Sequence, residues 1–380
     1  MKTGDPRCRI GEMLTRLYID NFRCFVDFEY RPARKELILG RNGSGKSSLV
    51  DALLILRQIV VRGDVLDDHF LLSQRTRWLD KPQITAELEA DLEGDKYVYR
   101  LVIEPWGDPP RTRIESEIIR FNNRLIYEFT LGEVRLFNDR FEQEFTYPFD
   151  WQRSCLATII PRKENQILSR FKLWLSEVLC FRLNPFAMIA RAEGESLFPN
   201  VDLSNVAAWY RHLIQAFPAQ NDALRKSLRD SLDGFNHLQL DAAGENIRLL
   251  AANFSSVGSK TSKFYFGEMS DGQRCLISLY IVLHFVLARG GTVLFDEPDN
   301  FLSLREIQPW LMAVDDIVEQ NQGQVLVISH HPEIINQWAP SSGVQLVRDG
   351  AGPVGVERFQ GDPSSCLAAS ELVARGWERE

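Results

Sequence analysis

The chain has 380 residues, 44% of them hydrophobic, and a formal net charge of −8. That is enough apolar material for the core of one large domain or two ordinary ones, and the acidic balance excludes a polycationic nucleic-acid coat. Any DNA contact must come from a local basic patch, such as Arg31/Arg34/Lys35, Arg57/Arg62, Arg75/Arg77/Lys81 or Arg162/Lys163.

In chain order, residues 13–20 and 24–31 read as a β-hairpin around Asn21-Phe22-Arg23. Glu36-Leu37-Ile38-Leu39 reads as a short buried strand, and residues 48–61 as an apolar-rich helix. Between them lies Gly40-Arg41-Asn42-Gly43-Ser44-Gly45-Lys46-Ser47, which fits the phosphate-binding pattern G-x-x-x-x-G-K-[ST] in the strand–loop–helix setting it requires. The glycines let backbone N–H groups wrap a phosphate, and the helix N-terminus adds its positive dipole end. Lys46 is expected on the β- and γ-phosphate oxygens, and the Ser47 hydroxyl on Mg²⁺.

Residues 83–91, 96–104, 112–121, 124–130, 133–137 and 143–147 alternate apolar and polar, as successive antiparallel strands do. Helical spacing follows over 151–178, then a strand over 181–190, a polar loop over 191–200, and helices over 203–217 and 221–232. Trp174, Phe181, Phe186, Trp209 and Phe217 read as core residues of this helical lobe, an exposed docking face being the rival reading. Strands return at 235–240, 246–252 and 262–266.

The last third alternates helix and apolar strand: helix 272–288, strand 292–295, helix 304–320 and strand 324–328. That rhythm predicts a parallel sheet covered on both faces. Thr292-Val293-Leu294-Phe295 ends in Asp296 and Glu297, suited to Mg²⁺ and to polarising an attacking water. The strand before Ser329 should bring His330 to the same sheet edge, with His331 as its rival. Ser270 and Gly272 open the 272–288 helix as an anion-binding N-terminus. The tail, 370–377, is amphipathic and suited to docking on the head or on a partner. No long heptad array is present, so no coiled-coil arm is expected.

Six cysteines, Cys8, Cys24, Cys155, Cys180, Cys275 and Cys366, have no C-x-x-C spacing. They signal neither a zinc site nor a disulfide framework and fit a reducing, cytoplasmic compartment. The N-terminus carries no apolar signal core, and the longest apolar run, 275–288, is too short to span a bilayer, so no membrane is expected.

Together these motifs resemble the ABC ATPases. Gly40–Ser47 looks like Walker A, Met269-Ser270-Asp271-Gly272-Gln273 like the signature, residues 292–297 like Walker B, Pro298-Asp299-Asn300 like the start of the D-loop, and Ser329-His330 like the switch histidine. Ile19-Asp20-Asn21-Phe22-Arg23-Cys24-Phe25 resembles the opening of the SMC, Rad50 and RecF branch, and Asp296-Glu297-Pro298 with Ser329-His330-His331-Pro332-Glu333 resembles the stand-alone AAA_21-type ATPases of overcoming-lysogenisation-defect and Septu-like defence systems. Two positions depart from the pattern: Asp271 replaces a signature glycine, and Ser303 stands where the D-loop commonly ends in Asp or His.

The resemblance implies an α/β ABC ATPase head with a mixed, largely parallel core sheet, an antiparallel β subdomain and a helical lobe. Its parts would be an N-terminal lobe (1–151), a helical and mixed insert (152–262) and a signature, Walker B and switch lobe (263–380). Its cofactors would be ATP and Mg²⁺. Arg23, Asn42, Gly43, Ser44, Gly45, Lys46, Ser47 and Ser48 would bind ATP. Ser47, Asp296 and a Q-loop glutamine would hold the metal; Gln152 is the choice, with Gln166 the competitor. Glu297 and His330 would join Lys46 in catalysis, and Ser270, Gly272 and Gln273 of a second copy would close each site. The expected partners are a second head, in a dimer or a higher oligomer, and a separate effector chain, a nuclease, with DNA as a further candidate. A RecF-like repair clamp, a transporter subunit and a nucleotide-gated scaffold with little turnover are the competing readings; the hairpin and the β-rich region speak against the transporter.

Overall fold

The computed structural model describes residues 11–69, 72–255, 261–320, 323–360 and 367–376. Its centre is a six-stranded sheet in the order Val178–Phe181, Thr292–Asp296, Gln324–Ile328, Lys35–Leu39, Gly343–Arg348, Val354–Arg358. Every pairing is parallel except the last. Successive side chains of a strand face opposite ways, and here both faces are covered. Ile38, Leu294, Leu326 and Ile328 join one core, while Leu37, Leu39, Val293, Phe295, Val325 and Val327 join the other. This is why these strands read as unbroken apolar runs. Each fully buried Leu, Val or Ile contributes about 1.5–3 kcal/mol.

On the first face lies the helix Lys46–Arg57, whose Leu49, Val50, Leu53 and Leu56 fall on one stripe. It continues into a wider turn, Gln58–Arg62, and stops at Gly63 in the left-handed conformation. Behind it stands an eight-stranded sheet whose neighbours all run antiparallel, from Phe28–Tyr30 through Met13–Asp20 and Ile84–Leu92 to Gln143–Pro148. On the other face pack the helices Asp271–Phe285, Leu304–Glu319 and Pro332–Ser342, through Leu276, Leu279, Trp310 and Trp338 among others. Helices Val206–Ala216 and Pro218–Ser231 and a small sheet, Arg191–Ala192, Phe235–Ala242, Arg248–Ser255 and Thr261–Tyr265, complete that side.

The architecture is therefore a mixed α/β head, and no described helix pair extends into a coiled coil. Several local expectations are corrected. The second hairpin strand is only Phe28–Tyr30, because Asn21, Arg23 and Asp27 take left-handed φ values of 61°, 53° and 48° that break extended pairing. The helix expected over 151–178 is confined to Gln166–Ser176, preceded by a single turn at Cys155–Thr158; Pro161 lies between them. The strand expected over 181–190 lies earlier, at Val178–Phe181, and Pro185 follows its end. Phe186 is exposed, unlike Trp174, Phe181 and Trp209.

The stretch Asp271–Arg289 is long and apolar enough to cross a membrane by length and composition, correcting the shorter run read from sequence, yet 72% of it is buried inside the head. The tail helix Ala369–Arg375 docks on the head: Leu372 is buried, and Ser370 N donates to Asn336 Oδ1 at 2.9 Å. Trp377, Cys8 and Cys366 fall outside the described residues, where Cys24, Cys155, Cys180 and Cys275 are free thiols.

Candidate nucleotide site

Asp296 is level with Ile328, and Ile328 with Ile38, so the three central strands finish in one row. The loops that leave that row build the site. Gly40 has room for nothing larger: a Cβ there would sit 2.4 Å from Ser44 Oγ and 2.8 Å from the Leu346 carbonyl oxygen. Gly45, at φ 103°, starts the helix Lys46–Arg57 with no side-chain cap, and no acidic residue lies in the first turn. The first-turn N–H groups are thus left for an external anion. The Ser44 hydroxyl is buried without a hydrogen-bond partner, a second opening in the same loop. Lys46 is buried, and its Nζ donates to the carbonyl oxygens of Gly40 (2.5 Å) and Arg41 (3.1 Å). Burial pulls its pKa below the usual lysine value, against the raising pull of Glu297 and Asp296. Ser47 is exposed to the cleft. A lysine resting on its own loop and bare helix N–H groups fit a phosphate chain, and exposed Ser47, which shares the cleft wall with Asp296, fits its metal, whereas Ser44 does not line the cleft.

The cleft in front of this loop has a volume of about 780 Å³ and is lined by Arg23, Asn42, Gly43, Gly45, Lys46, Ser47 and Ser48 together with Asp296 and Glu297. Glu297 turns out of its strand at φ 51°, its N–H donating to Ile328 O at 2.8 Å and its Oε2 accepting from Asn300 Nδ2 at 2.9 Å. A non-glycine residue in that region is strained, and here the strain aims the carboxylate into the cleft. His330 lies exposed at the edge. Its imidazole is held below the ordinary histidine range, by partial desolvation first and the Lys46 charge second, with Glu297 and Asp299 opposing. Its rival does other work: His331 caps the helix Pro332–Ser342, accepting from Glu333 N at 3.2 Å.

Ser270, Gly272 and Gln273 do not line this cleft. Ser270 caps the helix Asp271–Phe285 reciprocally with Gln273, at 3.2 and 3.1 Å. A Cβ on Gly272 would meet Phe301 O at 2.8 Å. Asp271 is taken up by Arg274, which also donates to Pro185 O at 2.6 Å. Ser303 caps the helix Leu304–Glu319 with Glu306, which gives that departure a structural use.

The glutamine choices are corrected. Gln152 does not reach the cleft; its amide approaches Asp67 Oδ2 at 3.4 Å. Gln166 donates to the Arg162 carbonyl. The side chain beside Asp296 is instead Arg182, one residue past the strand Val178–Phe181, with both Nε and Nη2 at 2.7 Å from Asp296 Oδ2. Asp51, on the loop's own helix, pairs with Arg23 at 2.5 Å and stands 4.0 Å from Arg182. Sequence reading also missed Ser73, Trp78, Leu183 and Arg348 in the cleft wall, to which Arg75 and Arg77 of the candidate basic patch and Asn300 of the D-loop stretch also belong. The Arg-x-Arg-Trp run after the first helix was the available signal. Asn21, fully buried, holds that segment in place: Nδ2 donates to Lys81 O and Gln83 O at 2.7 Å, and Oδ1 accepts from Thr76 N at 3.2 Å.

Residues 37–336 match the AAA_21 family, described as "AAA domain, putative AbiEii toxin, Type IV TA system", and residues 16–56 match AAA_23, an AAA domain. No curated protein matches the chain. Among solved structures, the chain is similar to an SMC head bound to the C-terminal winged-helix domain of ScpA, with TM-score 0.56 and 14% identity over 91% of this chain and 98% of that one. It is also similar to an Smc head with an extended coiled coil bound to the C-terminal domain of ScpA, from Pyrococcus furiosus, with TM-score 0.52 and 12% identity over 97% and 99%.

Proposed function

The chain belongs to the AAA_21 family and has the fold of an SMC-type ABC ATPase head, and from that premise we propose that it binds and hydrolyses ATP with Mg²⁺ as a dimer of heads controlling a separate effector. The observation that carries the reading is the row of strand ends, which sets the loop at Lys46 and the carboxylates of Asp296 and Glu297 around one cleft, with His330 near enough to feel the charges of Lys46 and Glu297.

In this reading the phosphates lie on the N–H groups of residues 42–48 and on Lys46, with Arg23 adding a charge. Ser47 and Asp296 hold Mg²⁺, which when bound offsets charge on the β- and γ-phosphate oxygens. Glu297 takes a proton from the attacking water as general base. His330, its pKa lowered by partial desolvation and by the Lys46 charge, meets the γ-phosphate. Arg182 holds Asp296, so this pair would compete with a metal for the carboxylate. Because Ser270, Gly272 and Gln273 stand outside their own cleft, a second copy has to supply them. The effector is a nuclease acting in bacterial defence against phage; the family's description, which names a toxin and a toxin–antitoxin system, supports an effector role.

The test mixes two inactive variants. Lys46→Ala and Ser270→Arg should each abolish turnover, and their mixture should regain part of it, because one of the two composite sites is then intact. A mixture as inactive as its parents sinks the two-headed site. Capture of tagged Glu297→Gln from its native host in the presence of ATP should bring down a nuclease; capture of heads alone, with no nuclease activity in the eluate, sinks the effector reading.

A further inference from the structure

The phosphate-binding residues account for only part of the cleft wall. The loop's Lys46 side faces Asp296 and Glu297. Beside its Gly43 tip the wall is of another kind. Trp78 stands 48% exposed there, an unusual state for the largest apolar side chain. The Arg348 guanidinium lies 5.7 Å from the centre of its ring. Arg348 is itself fixed by donating to Gly43 O (3.2 Å), Gly352 O (2.8 Å) and Ala351 O (3.1 Å). The backbone that carries Trp78 is pinned on either side, at Thr76 and Lys81, by the buried Asn21. An open aromatic face beside a cationic plane and next to a phosphate loop is a platform for a flat heteroaromatic ring.

We propose that Trp78, with Arg348, is the base-binding subsite of this cleft, and that it takes the purine base of a nucleoside triphosphate by stacking. This rests on the nucleotide-site reading above. Stacking is indifferent to ring substituents because every base has a π face. Purines should outrank pyrimidines because they cover more of the indole.

The experiment measures the binding of ATP, GTP, CTP and inorganic tripolyphosphate, each with Mg²⁺, to the full chain by calorimetry. For the wild type, ATP and GTP should each bind more tightly than CTP. Trp78→Ala should weaken ATP and GTP by about 5- to 100-fold, the range of one lost base–aromatic stack, and leave tripolyphosphate within twofold. Trp78→Phe should recover most of the loss, which a merely structural role for the indole would not explain. The subsite is overturned if Trp78→Ala binds ATP as wild type does, or loses tripolyphosphate equally. Wild-type binding of CTP as tight as that of ATP and GTP overturns the purine preference. If the wild type binds neither nucleotides nor tripolyphosphate, the nucleotide reading itself fails, a result distinct from the other two.

Discussion

Glu117, in the middle of the antiparallel sheet, and Lys46, at the edge of the parallel one, are both drawn out of water, but only the first is fully provided for. Glu117 Oε1 accepts from Tyr99 (2.9 Å) and Ser154 (2.7 Å), and Oε2 accepts from Tyr127 (2.8 Å). Around Lys46 the partners are provisional. The ammonium leans on its own loop, Asp296 is occupied by Arg182, and buried Asp299 keeps one carboxylate oxygen without a partner. A buried polar cluster that closes on itself specifies a fold. One left incomplete specifies what has yet to enter.

The widest separation of the two regions should come from Glu297→Gln. Losing the general base should lower ATP turnover about 10²- to 10⁴-fold while ATP binding and the melting temperature hold, measured by phosphate release and calorimetry. Turnover within threefold of wild type would remove Glu297 from the chemistry.

Next in size is Glu117→Leu, which strands three buried hydroxyls at about 1–3 kcal/mol each. Urea unfolding should show a loss of about 3 kcal/mol or more, with ATP affinity unchanged in the folded protein. A loss below 1 kcal/mol would mean the cluster is dispensable.

Smaller again is a pH effect. Burial raises the pKa of Glu117 above the ordinary carboxylate value. Between those two values the folded head keeps a proton that the unfolded chain has released, so stability falls as pH rises through that window. Glu117→Gln should flatten this decline; an unchanged slope across pH 4.5 to 8 would assign it to other groups.

The smallest effect concerns Arg182, about half exposed, whose pair with Asp296 is discounted by solvent to about 1 kcal/mol or less. Arg182→Ala should lower the Mg²⁺ concentration for half-maximal turnover about two- to fivefold. An increase would make Arg182 a helper of the metal site and not its obstruction.

What could be read from sequence divides along the same line. The strand–loop–helix at Lys46, the acidic strand end at Glu297 and the alternating strands from 83 to 147 were legible because each is a local pattern. Val178–Phe181 was misplaced because four apolar residues between a helix and an arginine carry no period of their own. The helix expected from 151 was overextended because apolar spacing outweighed Pro161 and Asn165, which fix its true start. Gly343–Arg348 and Val354–Arg358 went unassigned, although the first is a direct neighbour of the loop strand. Asn21 was recognised as part of a motif, but its work, pinning Thr76, Lys81 and Gln83, joins residues more than fifty positions away. The Arg182–Asp296 pair likewise exists only through the register of two strands far apart in the chain.

The strand order also sets a timetable. Lys35–Leu39 is made before its neighbours, Gln324–Ile328 and Gly343–Arg348, which follow about 290 or more residues later. At about 5–20 residues per second the ribosome needs roughly 15–60 s to supply them. Through that interval an apolar strand and its glycine loop wait unpaired, open to chaperones and to misassociation. A chain interrupted before residue 324 lacks the strands that flank its phosphate loop, so nucleotide recognition has to wait for them.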